Sequence, residues 1–164
     1  MPHILAICTA NICRSPVAAA LLQEALLRQG YHDWVVRSAG TWVQMKRGAS
    51  RNSVQVASER GLDITAHQAT MVEASHLKVA DLVLCMETGH AEALRAEFPA
   101  YAHKIYLFSE MVGKRYNVDD PYGRSLEAYE IMADELNQII ANGLDQIIAL
   151  ATAETTIQDV KRDT

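Results

Sequence analysis

Four short apolar runs, at residues 3–7, 34–40, 80–86 and 104–108, each give way to polar residues or to segments with helical spacing. Strands separated by helical crossovers pair in parallel, and a parallel sheet needs helices on both faces. The pattern therefore predicts an α/β chain: a single-domain, three-layer fold with a central four-stranded parallel sheet flanked by helices. Helices are expected from Pro16 to Gly30, over 50–60 and 87–98, and from a Ser125 cap through residue 150, where apolar residues recur at three and four spacing. At 164 residues one core suffices. The domain is expected to span 1–151, with a loose C-terminal tail over 152–164.

Three cysteines are an odd number for a disulfide framework. No N-terminal run reads as a secretory leader and no apolar stretch approaches 18 residues, so a cytoplasmic chain with reduced thiols and no membrane partner is expected. Formal net charge is -5 with Lys and Arg scattered, which argues against nucleic acid as a partner. An anionic substrate must then be caught locally.

The segment ILAICTANICRSP, 4–16, offers that place. A loop joining a strand to a helix N-terminus aims unpaired N–H groups and the positive end of the helix dipole at one point, so the first strand is expected to lead into a phosphate-binding loop. Arg14 adds a planar fork of donors suited to two phosphoryl oxygens, and the same field suits a thiolate at Cys8. Asn11 tolerates a left-handed turn, Ser15 can donate to the sulfur, and Pro16 needs no N–H at a helix start. A lone Cys and Arg are more often a buried strand end and a surface residue; it is the company they keep that points to chemistry.

The stretch CTANICRSP resembles the signature loop of the low-molecular-weight protein tyrosine phosphatases, and VDDPYG at 118–123, with Asp120 directly before Pro121 and Tyr122, resembles the Asp-Pro-aromatic motif of the same family. Further similarity lies in SAGT at 38–41, GLDITAHQA at 61–69, ADLVLCM at 80–86 and the closing helix, so it covers most of residues 3–150. The resemblance implies Cys8 as nucleophile, Arg14 as phosphoryl clamp and Asp120 as general acid, with Asp119 the rival for that last role. It implies a substrate-binding loop of Thr9, Ala10, Asn11, Ile12, Cys13 and Ser15, supported by Asn11 and Ser15 and by Ser38 and His67, which help to hold the loop through Asn11. Tyr122 would wall the pocket. Trp42 is read either as a second wall or as a packed surface aromatic. No cofactor is implied, and the other histidines show no metal-ligand spacing with the cysteines. The implied partner is a tyrosine-phosphorylated protein, with a bacterial tyrosine kinase as one candidate.

The chain departs from the family pattern at three places. Ala10 stands where Gly is usual, so it must avoid positive φ or accept strain; Trp42 comes earlier than the usual aromatic; and Thr70 replaces a common Arg. Three rival readings also stand. A protein-arginine phosphatase typically has Thr where this chain has Ile12. A thioredoxin-coupled arsenate reductase relays oxidation through two further close cysteines, whereas Cys85 stands alone in its run. A phosphotyrosine-binding module without catalysis would be expected to lack Cys8 or Asp120. Cys13 is read either as packing or as a thiol that resolves an oxidised, redox-sensitive Cys8.

Overall fold

The computed structural model describes residues 1–162, without the side chains of 154–160 and 162. Strands β1 (His3–Cys8), β2 (Val35–Gly40), β3 (Leu82–Cys85) and β4 (Ile105–Leu107) form one parallel sheet in the order β2-β1-β3-β4. The crossovers carry α1 (Arg14–Arg28), α2 (Arg51–Glu59), α3 (Ala74–Val79) and α4 (Thr88–Glu97), and α5 (Leu126–Arg162) closes the chain. The expected four-stranded, three-layer α/β architecture is thus the observed one.

Period-two alternation sorts the strands into two cores. On β1, Ile4, Ala6 and Cys8 face a layer with Leu22 and Leu26 of α1 and Leu136 and Ile140 of α5, while Leu5 and Ile7 face the other layer with Leu77 of α3 and Leu94 of α4. β3 divides the same way, Leu82 and Leu84 against Val83 and Cys85. Burial on both faces explains why these strands read as continuous apolar runs.

Helix α3 has no counterpart in the sequence reading. It is six residues long with Leu77 as its one buried side chain, too short for a helical period to show. The backbone of 152–162 continues α5 as helix, and 163–164 of the expected tail lie outside the described residues. Neither Gly nor Pro follows Gly143, and extending an existing helix avoids the cost of nucleation.

The sheet order positions the site. From β1 the chain moves to one side to form β2 and to the other to form β3 and β4, so β1 lies at the switch point, and crevices in such sheets open beyond the strands' carboxyl ends. The loop leaving β1 lies there. Gly40, at the end of β2 and paired with Cys8, has no room for a side chain: a Cβ would meet the Thr9 carbonyl and the Val43 methyl. That close approach lets the residues after β2 wrap the loop.

Candidate active site

Residues 9–13 link β1 to α1 in a tight curve. Asn11 turns it, with φ of 56°, the one positive φ among the described non-glycine residues. Ala10 therefore keeps negative φ and avoids the strain considered above. No described protein acceptor takes the N–H of Ala10, Asn11, Ile12 or Cys13. These amides border the concavity at the head of α1, where an anion would take them.

The curve is braced from behind. Asn11 Oδ1 accepts from Thr70 N–H (2.9 Å), which fixes the amide so that Nδ2 donates to Ser15 Oγ (2.7 Å) and Ser38 Oγ (2.9 Å). Because Ser15 Oγ already accepts, its own hydrogen is free for Cys8 Sγ at 3.0 Å. His67 Nε2 lies 2.6 Å from the Asn11 carbonyl, an acceptor, so that nitrogen carries the proton. Thr70 meets the loop through its backbone, which any residue there supplies.

Arg14 lies beneath the loop with 1% of its surface exposed. Nη1 donates to the Val118 carbonyl at 2.7 Å; Glu87 Oε2 stands 3.4 Å from both terminal nitrogens, and Asp120 Oδ2 3.6 Å from Nη2. Nε has no partner, the one such buried side-chain polar atom among the described residues. A buried guanidinium N–H is costly to leave unpaired, so this orphan donor calls for an acceptor.

Cys8, Thr9, Ala10, Ile12, Cys13, Arg14, Trp42, Asp120 and Tyr122 line one cavity of about 400 Å³. Asn11, Ser15, Ser38 and His67 form the brace. Asp119 does not line the cavity, whereas Asp120 does and accepts the Tyr122 N–H through Oδ1 (3.1 Å). Trp42 and Tyr122 are largely exposed at the mouth.

Cys13 Sγ lies 3.4 Å from both Ser50 Oγ and Tyr129 OH. Burial pushes its thiol above the ordinary value, which makes it a hydrogen-bonding neighbour first and a poor thiolate. Cys85 faces the opposite layer from Cys8, and burial pushes its thiol well up. That placement gives no support to a relay between them.

Sequence reasoning missed Glu87, His90, Val118 and Tyr129. Glu87 and His90 carried one usable signal: they stand just after the third apolar run, at the same sheet end as the loop. His90 Nδ1 accepts the Glu87 N–H (3.1 Å), so in the neutral ring Nε2 carries the proton and donates to Thr9 Oγ1 (2.8 Å). Burial, aided by the positive charge of Arg14, brings His90 from 6.5 down to about 4. Below pH 6.5 the unfolded chain binds a proton that the folded chain refuses until about pH 4, so stability falls as pH falls through that window. The loss attributable to His90 is on the order of 3 kcal/mol. Urea unfolding at pH 7 and pH 4.5 should show this loss in wild type and a smaller one in His90→Asn.

An unpaired arginine donor and free loop amides beside a cysteine sulfur, at the carboxyl end of a parallel sheet, form an α/β site suited to holding an anion such as a phosphoryl group. Comparison with known proteins makes the class specific. Residues 3–154 match the low molecular weight phosphotyrosine protein phosphatase family, and the chain belongs to it as a phosphatase. It is 35% identical to a protein-arginine-phosphatase of Geobacillus stearothermophilus, over 85% of this chain and 93% of that one. It is 33% identical to the probable low molecular weight protein-tyrosine-phosphatase EpsP of Ralstonia nicotianae, over 87% and 90%. Among solved structures, a low molecular weight protein tyrosine phosphatase from T. tengcongensis superposes with a TM-score of 0.84 at 37% identity, covering 89% of this chain and 99% of that one. Among the described residues no helix is long and apolar enough to cross a membrane, and no three His, Cys, Asp or Glu side chains gather as a metal site would require.

Proposed function

We propose that this phosphatase hydrolyses phosphotyrosine in proteins through a phosphocysteine on Cys8. The sulfur attacks phosphorus in line with the departing phenol oxygen, and the P–O bond to the ring breaks as the S–P bond forms. The loop N–H groups and the Nε edge of Arg14 hold the three equatorial oxygens, where charge spreads in the transition state. Asp120 gives its proton to the phenolate oxygen. As a carboxylate it then takes a proton from water, whose oxygen attacks the phosphocysteine and releases phosphate and the Cys8 thiolate. The Ser15 hydroxyl, 3.0 Å away, stabilises that thiolate. Arg14 pairs with Asp120 across 3.6 Å in the free site, so an arriving phosphoryl group replaces one anion by another at the guanidinium.

The observation that carries tyrosine over arginine is Ile12, a loop residue that lines the same cavity as the exposed rings of Trp42 and Tyr122. An aliphatic side chain there gives a phenyl ring contact area and offers a phosphorylated guanidine nothing to hydrogen-bond. The similarity to a protein-arginine-phosphatase makes the opposite preference the one to test against. One peptide sequence carrying either phosphotyrosine or phosphoarginine should give a kcat/KM at least about fivefold higher for phosphotyrosine, since a polar group left unpaired in a pocket costs about 1 kcal/mol or more. Ile12→Thr should narrow that ratio. Faster turnover of the phosphoarginine peptide by wild type would overturn the assignment.

A further inference from the structure

One wall of the cavity carries a charge that the chain as a whole does not. Net charge is -5, yet no acidic residue occurs between Asp33 and Glu59, and Lys46 and Arg47 fall in that interval. Arg47 lines the cavity beside Met45 and Trp42, and both cations are exposed. Neither side chain makes a hydrogen bond or ion pair with a described residue. Their backbone is nonetheless tied down: Trp42 N–H donates to the Thr9 carbonyl (2.9 Å), Ala69 N–H to the Arg47 carbonyl (2.8 Å), and Ser50 N–H to the Ile12 carbonyl (2.8 Å). Two free cations therefore stand on a segment anchored to the loop. The wall that carries Tyr122 bears Asp120 instead. A peptide lying across the mouth meets positive charge on one flank and negative charge on the other.

We propose that Lys46 and Arg47 form a docking lip for an acidic side chain flanking the phosphorylated residue of a protein substrate. The inference deepens the proposed phosphotyrosine reading and rests on it for the residue in the pocket. Net charge alone would make this protein repel acidic peptides, so a preference for them must come from a local surface. Charges at an interface rim act chiefly through association and are screened by salt, whereas an aryl phosphate without a flank never reaches the lip.

Three phosphotyrosine peptides, one neutral, one with Glu on the N-terminal side and one with Glu on the C-terminal side, separate these possibilities. One acidic peptide should exceed the neutral one in kcat/KM by about threefold or more at low salt, consistent with exposed ion pairs of up to about 1 kcal/mol, and the advantage should shrink in high salt. In Arg47→Glu the order should reverse, with a lysine-flanked peptide preferred over the acidic one. An unchanged ranking in Arg47→Glu, or no acidic preference in wild type, overturns the lip. The same flanks built around phosphoarginine keep the two readings apart. Faster phosphoarginine hydrolysis with the flank preference intact would sink the tyrosine assignment and leave the lip standing.

Discussion

Cys8→Ser should reduce turnover of p-nitrophenyl phosphate to below about one per cent of wild type, a barrier increase of about 3 kcal/mol or more. A serine hydroxyl in this loop is not ionised near neutral pH, and Ser15, positioned to donate to a thiolate, cannot make a hydroxyl into an alkoxide. The same variant should still bind inorganic phosphate within a few-fold of wild type, because the loop amides and Arg14 are untouched. Steady-state kinetics and calorimetric titration with phosphate read the two halves separately. Activity above that level would place the nucleophile elsewhere, and lost phosphate binding with the fold intact would mean that the sulfur helps to shape the loop.

Arg14→Lys should cost about 10²-fold or more in kcat although the charge is kept, the scale seen when one transition-state donor is removed. The guanidinium meets the Val118 carbonyl through Nη1, stands 3.4 Å from Glu87, and keeps Nε unpaired beside the cavity. One ammonium nitrogen cannot occupy all three places. It either satisfies the carbonyl and Glu87 and leaves the phosphoryl group short of a donor, or reaches the phosphoryl group and leaves the buried carbonyl bare. Near-normal turnover in this variant would remove Arg14 from the mechanism proposed here.

The parts of the site legible in sequence were those built by adjacent residues. Cys8, Asn11, Arg14 and Ser15 fall within one continuous stretch from the end of β1 to the start of α1, and their spacing and the strand before them carry the reading. Asp120 was legible through Pro121 and Tyr122. Glu87 and His90 come from the start of α4 and Tyr129 from α5, and they reach the loop only through packing, which no local spacing encodes. Helix α3 is held by a single buried leucine and left no period to read. That α5 continues past 152 was not legible, because a helix is ended by a breaker and no local spacing marks its continuation. Whether Trp42 walls a pocket turns on where the segment after β2 runs. That is decided by Gly40 and the hydrogen bond from Trp42 N–H to Thr9, not by the tryptophan itself.

The most direct test of the cysteine mechanism is to catch the phosphoryl group on the protein. Asp120→Asn should slow hydrolysis of the intermediate, which needs a base for water, more than its formation from p-nitrophenyl phosphate, whose phenolate leaves without much help. This variant is mixed with that substrate, stopped by rapid denaturation within one turnover, digested and weighed by mass spectrometry. The account predicts that the peptide containing Cys8 gains the mass of one phosphoryl group, and that the gain disappears in Cys8→Ser with Asp120→Asn. A phosphoryl group on any other residue, or a burst of p-nitrophenol with no phosphorylated peptide at all, would contradict it.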